Sequence, residues 1–199
     1  MKYVVLVVLF CIAIAQFDGC TVGSSKGGVD LNKAAFSADQ TVFGRGFWDL
    51  VINFCKPLTT SCKDIKGVPA LWVFYNDPTN CNRISKSLTD SADVKTEWLE
   101  SANPEKGVVL KYNNGAKFDQ DGQNVESRVE IKIECDKEAT DVKPTLDTND
   151  VVSGVMVYKL SSKSKFACPD PAFQPRGGTP GGPYAGTYPL GAGGIILIM

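Results

Sequence analysis

The chain of 199 residues has 21 basic and 22 acidic residues, a formal net charge of −1 and no histidine. The two kinds of charge are interspersed, so no basic stripe exists to neutralise phosphates, and we predict no nucleic-acid partner. Without an imidazole neither a Ser-His-Asp nor a Cys-His hydrolase can be built, and because no pair of carboxylates stands out for glycoside hydrolysis, we predict that the protein is not an enzyme.

Residues 1–15 have the three-part layout of a secretory signal peptide. The charged Lys2 precedes an apolar run from Tyr3 to Ile14, and small alanines near its end suit cleavage before Gln16. A membrane anchor is the alternative, but the run is shorter than the roughly 20 apolar residues that cross a bilayer. We therefore predict that this segment directs the chain into the secretory pathway and is removed.

Removal of the signal peptide would leave six of the seven cysteines: Cys20, Cys55, Cys62, Cys81, Cys135 and Cys168. An even number in a secreted chain indicates disulfides, each worth about 2–4 kcal/mol. Zinc is the competing use, and it is disfavoured because the chain has no histidine and no Cys-x2-Cys pair. The connectivity of the six cysteines stays open on this reasoning alone.

Short strands separated by turns are predicted along the mature chain. Residues 20–40, rich in Gly, Ser and Ala, indicate an irregular lead-in that can include a short strand. Phe47 to Phe54 and Ala70 to Tyr75 are rich in aromatic and β-branched residues, as buried strands are. Gly107 to Tyr112 followed by Asn113-Asn114-Gly115 predicts a hairpin, because Asn-Gly favours the tight turns that join antiparallel strands.

The segment from Arg128 to Cys135 alternates between apolar and charged residues. Its charged positions after the arginine are Glu130, Lys132 and Glu134. A period of two with one charged face predicts a strand that is buried on one side. A last strand is predicted from Val151 to Leu160. Together these strands predict an all-β fold, either a flattened β-barrel or a two-sheet sandwich.

The composition changes after residue 170. Residues 171–189 hold many Gly and Pro residues. Because the segment has too few apolar side chains to offset the entropy lost on ordering, we predict that it is a linker. Residues 190–199 are apolar, and we expect them to be the start of a transmembrane helix that continues beyond Met199. The alternatives are a final strand packed on the domain and, less favoured, a lipid-anchor signal.

Three motifs in this order resemble the mannose-6-phosphate receptor homology (MRH) family, of the cation-dependent mannose-6-phosphate receptor and autophagy-related protein 27 type. They are INFCKPL at residues 52–58, GVVLKYNNGAKF at 107–118 and FACP at 166–169. The resemblance implies that residues 16–170 are a lumenal MRH-like β domain stapled by three disulfides. It also implies a pairing of the cysteines in order: Cys20 with Cys55, Cys62 with Cys81, and Cys135 with Cys168.

The resemblance also implies where a mannose site would lie. Lectin members of the family hold mannose with a Gln, an Arg, a Glu and a Tyr, which together can satisfy the sugar hydroxyls. Tyr158 matches the family Tyr, and Asp147 or Asp150 stands near the Glu position. Arg128 lies near the family Arg but one residue too close to Cys135, an offset that in a strict pleat turns it to the opposite face. No Gln stands at the expected position near residues 95–98.

The alternative for these residues is structural, with Arg128 a solvated strand residue and Tyr158 a core or rim aromatic. A second candidate site is the acidic stretch around Asp119 and Asp121, which resembles the loop with which some family members hold a divalent cation. A polar turn containing Gly explains that stretch equally well. We therefore predict no obligatory cofactor, with a divalent cation as the one option.

The function implied by the resemblance is cargo recognition. We expect the lumenal domain of a type I membrane sorting or trafficking receptor of the Golgi, endosomes, lysosome or vacuole, with glycoprotein or protein cargo and a C-terminal membrane helix. A mannose- or phosphomannose-binding lectin is the alternative, and a secreted carboxylate-dependent hydrolase is a remote third. The missing Gln and the shortened acid favour a role without sugar binding.

Overall fold

The computed structural model describes residues 18–43, 48–74, 77–88, 90, 92–120, 122–139 and 143–173. The predicted signal peptide, nearly all of the predicted linker and the predicted membrane segment lie outside these ranges. Within them, no helix is long and apolar enough to span a bilayer. The strands of the described ranges are β1 (Thr21–Ser24), β2 (Gly27–Asp30), β3 (Gln40–Phe43), β4 (Trp48–Ile52), β5 (Ala70–Phe74), β6 (Asp77–Arg83), β7 (Val94–Trp98), β8 (Gly107–Tyr112), β9 (Lys117–Gln120), β10 (Gln123–Cys135), β11 (Thr145–Val152) and β12 (Val155–Ser164).

The strands form two main sheets and a ribbon. One sheet has the order β11-β12-β10-β8-β7, with β9 paired to the first part of β10, and the other has the order β3-β4-β5-β6. The ribbon is the β1–β2 pair, so the lead-in at residues 20–40 contains two short strands where the sequence suggested one at most. Buried residues of both sheets belong to one hydrophobic core. The prediction of an all-β fold is confirmed, in the form of two facing sheets.

Strand β10 is the spine of the larger sheet. Its alternation is as predicted, because Val129, Ile131 and Ile133 are fully buried whereas Lys132 between them is exposed. It pairs antiparallel with β8 and parallel with β12 along its length. A strand with a partner on each side and one face in the core is the most constrained element of a sheet, which fits the strength of its sequence pattern.

The predicted hairpin at Asn113-Asn114-Gly115 is wrong. Strands β8 and β9 do not pair with each other, since both pair with β10. The Asn-Asn-Gly stretch is a bulge between them, where Asn114 has a φ of 57° and the Gly115 N–H donates to the Ser127 carbonyl at 3.1 Å. The tight turn lies further on, between Gln120 and Gln123, where Gly122 has a φ of 79°.

The predicted last strand from Val151 to Leu160 is also wrong in its bounds. It spans the turn of a hairpin, because β11 ends at Val152 and β12 begins at Val155. The two residues between them, Ser153 and Gly154, have φ values of 53° and 77°. Two consecutive left-handed residues are the mark of the turn that best matches the twist of paired strands. The predicted strand at Phe47–Phe54 appears as β4, which ends at Ile52, and the one at Ala70–Tyr75 appears as β5 over its described residues. The predicted strand Gly107–Tyr112 is β8.

The structure contains the three disulfides that the resemblance implies. The Cα atoms lie 5.8 Å apart in Cys20–Cys55, 6.3 Å in Cys62–Cys81 and 4.6 Å in Cys135–Cys168. The first links the start of the domain to the segment that follows β4. The second belongs to a small apolar cluster on the outer face of β4 and β5, with Val51 and Leu71. The third joins the end of β10 to the segment after β12.

Candidate functional site

Arg128 lies on the outer face of the larger sheet. Its Nη2 atom is 2.9 Å from the Glu130 Oε1 atom, and its side chain is about one-third exposed. Its Nε atom is buried and has no hydrogen-bond partner in the described residues. Arg128 pairs with Val157 on the neighbouring strand β12, and Val157 pairs on its other side with Asp150 of β11. Arg128 and Asp150 therefore stand in one row on the same face, one strand apart.

Tyr158 lies on the opposite face of the sheet, inside the core. Only 3% of its surface is exposed. Its ring makes an edge-to-face contact with the ring of Trp72, which belongs to the facing sheet, and the two ring centroids are 4.9 Å apart. Burial raises the pKa of the Tyr158 phenol, and the neighbouring Trp72 indole offsets part of that effect. Its surroundings are those of a core aromatic that joins the two sheets.

The register explains why the two side chains separate. Tyr158 pairs with Val129, so it shares a face with Val129 and not with Arg128. A shift of one residue in a strand moves a side chain to the other face, and the offset of Arg128 toward Cys135 has that consequence here. The structure therefore does not bring Arg128 and Tyr158 into one pocket.

The two candidate acids lie on β11, away from Tyr158. Asp147 accepts a hydrogen bond from the Ser161 hydroxyl at 2.8 Å, and Asp150 is exposed. Near residues 95–98, where the family has its Gln, Lys95 is paired with Glu97 at 2.7 Å. The polar members of the implied set are thus spread over the solvent face of the sheet.

The acidic stretch forms a hairpin turn. The Asp119 carboxylate accepts the backbone N–H of Gly122 at 3.0 Å, and Asp121 lies outside the described residues. Among the residues that the structure describes, no group of three side chains suited to hold a metal ion comes together. The Gly122 N–H is the described hydrogen-bond partner of the Asp119 carboxylate.

Two adjoining clefts lie at the end of the domain near the Cys135–Cys168 disulfide. Their volumes are about 350 and 640 Å³, and both are lined by Glu105, Glu134 and Cys135. The Lys132 ammonium beside Glu134 lowers the pKa of that carboxyl, helped by the charges of Lys163 and Lys106. Neither cleft is lined by the residues of the implied sugar site, and the sequence reasoning missed both. The one signal for them was the outward placement of Lys132 and Glu134.

No family model and no curated protein matches the chain. Solved structures do. Domain 11 of chicken IGF2R superposes with a TM-score of 0.53 at 16% identity, over 75% of this chain and 90% of that domain. Domain 11 of the echidna mannose-6-phosphate/IGF2R receptor gives 0.53 and 16%, over 77% and 96%. The MRH domain of Yos9 complexed with alpha3,alpha6-Man5 gives only 0.33 at 15% identity, over 66% and 75%, too loose a match to bear on the site. Identities this low speak for the fold alone, and the fold of the described chain is MRH-like.

Proposed function

We propose that this protein is the lumenal, cargo-recognising part of a type I membrane sorting or trafficking receptor of the secretory and endolysosomal system. The MRH-like fold, the three disulfides and the predicted signal peptide at residues 1–15 support this proposal. Disulfides persist in oxidising compartments, and the six cysteines of the described chain are all paired. The apolar residues 190–199 would supply the start of the membrane helix.

We further propose that the cargo is recognised through a protein surface. The observation that carries this choice is the placement of Arg128 and Tyr158 on opposite faces of the larger sheet. A sugar site needs convergent donors and acceptors in one concave pocket, where a planar Arg fork and an acceptor can grip neighbouring hydroxyls. Here the phenol belongs to the core and the guanidinium to the solvent face.

A mannose-binding lectin is the second candidate, and one feature favours it. The Arg128 side chain is about one-third exposed, and Asp150 lies on the same face. A hydroxyl-rich ligand could accept a hydrogen bond from the exposed part of the guanidinium. Such a site would be a shallow one on the sheet surface, without Tyr158.

A glycan array separates the two candidates. We expect the purified, disulfide-bonded protein to show no mannose-specific binding. Strong binding to high-mannose or phosphomannosyl glycans, competed by free mannose or mannose 6-phosphate, would overturn the choice of a protein surface. In that event Arg128→Ala should weaken binding at least about tenfold, because charge-assisted hydrogen bonds are worth about 1.5–3 kcal/mol each. Lys159→Ala, an exposed cation on the same face, is the matched control.

The lumenal location can be tested with an engineered glycosylation site. The chain has no Asn-x-Ser/Thr sequence, so it carries no N-glycan of its own. Lys137→Asn combined with Ala139→Ser creates one in the exposed turn after β10. We expect a glycan on this variant that an endoglycosidase removes, and none on Lys137→Gln with Ala139→Ser. A variant that is made in secretory cells, stays intact and is never glycosylated would contradict a lumenal domain.

A further inference from the structure

Strand β11 is an open edge of the larger sheet. It pairs only with β12, and seven of its eight residues are exposed. The other edge of the same sheet, β7, is covered by the start of the domain. There the Thr96 hydroxyl donates to the Gly19 carbonyl at 2.7 Å, and the Trp98 indole N–H donates to the Gly23 carbonyl at 3.2 Å. The chain thus closes one edge and leaves the other accessible.

The accessible edge has a regular part long enough to take another strand. A register shift between Leu146 and Thr148 interrupts β11, but from Thr148 to Val152 its pairing with β12 is unbroken. Within the described ranges, no backbone hydrogen bond reaches this part from the side away from β12. Strand β3 approaches β11 but pairs only with β4. Five residues is an ordinary strand length, and the unused N–H and C=O groups of an edge are a template for pairing.

The edge also carries unusual apolar exposure. Val151 is 41% exposed and Val152 is 48% exposed, and they are the exposed large hydrophobic residues of the described chain. The side chains of successive strand residues point to opposite faces of the sheet, so one valine lies on each face. An added strand would shield part of both side chains from water.

The charge of the edge selects among possible occupants. β11 contains Asp147 and Asp150 and no basic residue. Asp150 makes no ion pair or hydrogen bond with any described residue. A second copy pairing edge to edge would bring four carboxylates into one two-stranded ribbon, and like charges across strands are destabilising. A segment with Lys or Arg side chains opposite these aspartates would instead be stabilised.

We propose that residues 148–152 of β11 are a docking edge for an extended segment of a partner protein whose basic side chains alternate with β-branched ones. The segment adds a strand to the sheet through backbone hydrogen bonds, and its lysines or arginines meet Asp150 and Asp147. The inference rests on the proposed function in taking the cargo to be protein, and it specifies the chemistry of that cargo.

A model peptide provides the test. The probe is a blocked peptide of four Lys-Val repeats, added to the purified, disulfide-bonded, isotope-labelled protein. We expect slowed amide hydrogen exchange at residues 148–152 and chemical-shift changes centred on β11. Four Glu-Val repeats keep the strand preference but reverse the charge, and four Lys-Pro repeats keep the charge but lack half of the N–H donors. Both should bind at least about tenfold more weakly.

Substitutions in the protein complete the test. Asp150→Lys should weaken binding of the Lys-Val peptide at least about tenfold, since an attraction becomes a repulsion. Glu138→Lys makes the same change of charge at an exposed residue outside β11 and should change the affinity less than about twofold. Because the peptide controls use the unchanged protein, a folding defect in a variant cannot produce the same pattern.

Four results would overturn the docking edge: no binding of the Lys-Val peptide, equal binding of the Glu-Val peptide, protection outside β11, or protection of residues 148–152 by self-association without peptide. These results are separable from the glycan array. If the peptide does not dock and no mannose binding is seen, the docking-edge proposal is wrong and the sorting-receptor proposal stands. Docking together with strong mannose binding keeps the edge and overturns the choice of a protein surface for cargo.

Discussion

Tyr112 fastens the two sheets to each other through its hydroxyl group. The hydroxyl donates to the Asn53 carbonyl and accepts from the Cys55 N–H, both at 2.8 Å, and the whole side chain is buried. Tyr112 belongs to β8 of one sheet, and residues 53–55 follow β4 of the other. A single oxygen therefore satisfies two backbone groups that water does not reach, beside the Cys20–Cys55 disulfide.

We predict that Tyr112→Phe lowers the free energy of unfolding by about 2–4 kcal/mol, because it leaves one buried N–H and one buried C=O without partners. Urea unfolding of the oxidised protein measures the change. Tyr158→Phe is the matched control, and its loss should be about 1 kcal/mol or less, since that hydroxyl has no backbone partner in the described chain. Equal losses in the two variants would contradict the role assigned to Tyr112.

Both phenols should make the fold sensitive to alkali. Burial raises the pKa of Tyr112 and of Tyr158, with small opposing effects from the Cys55 N–H and the Trp72 indole. The folded state thus favours the neutral phenol, so this stabilisation is complete below the ordinary pKa of about 10 and is lost as the pH rises above it. Urea midpoints at pH 8 to 11, with tyrosinate absorbance, should show both groups ionising only on unfolding. Free ionisation near pH 10 in the intact fold would disprove this.

The placement of Arg128 shows what sequence can and cannot say about one residue. Its position relative to Cys135 predicts its face of the sheet, because side chains alternate along any strand. Its partners do not follow from the sequence, since the ion pair with Glu130 and the row with Asp150 depend on the register with β12. The expected mannose-binding set of Gln, Arg, Glu and Tyr comes from the resemblance. In this chain the register of β10 with β12 places Arg128 and Tyr158 on opposite faces of the sheet.

At the scale of elements, the bulge between β8 and β9 is the main feature that the sequence did not predict. The Asn-Asn-Gly stretch has the residues of a tight turn, and a bulge with a left-handed residue needs the same ones. Only the pairing partner separates the two cases, and that partner is β10 for both flanking strands. The alternating pattern from Arg128 to Cys135 predicted its strand well because burial on one face fixes a period, whichever strands lie beside it.

We predict that Gly115→Ala destabilises the protein by about 2–3 kcal/mol, because a Cβ there would lie 2.1 Å from the Ser127 Oγ atom and 2.5 Å from the Ile84 carbonyl oxygen. Gly122→Ala is the control. It has a φ of 79° but no atom near its Cβ position, so it should cost about 1 kcal/mol from backbone strain alone. Thermal and urea unfolding measure both. A Gly122→Ala loss as large as that of Gly115→Ala would refute the close contact at the bulge.

At the scale of the molecule, sequence predicted the fold class, and the resemblance supplied the cysteine pairing that composition left open. The parallel pairing of β10 with β12 was not predictable, because a periodic pattern states which face is buried and not which strand is the neighbour. The turn at Ser153 and Gly154 was missed for a related reason, since valines on both sides of it read as one continuous strand.

We predict that the Cys135–Cys168 disulfide stabilises the domain by about 2–4 kcal/mol, given the sequence separation of 33 between the two cysteines. Peptide mapping under non-reducing conditions should recover the two cysteines in one linked peptide pair. Urea unfolding of Cys135→Ser combined with Cys168→Ser should show the loss. A free thiol at either position, or a link to one of the other four cysteines, would contradict the pairing.

The same disulfide determines how the domain bears mechanical load. The chain leaves β12 at Ser164, passes Cys168 and runs on beyond Phe173. Without the bond, tension on that end acts on β12 alone. With the bond, part of the force passes from Cys168 to Cys135 and so into the end of β10, the neighbouring strand, which pairs with β12 on one side and β8 on the other. A pull on the oxidised domain therefore loads β12 and β10 together, whereas reduction leaves β12 to bear it.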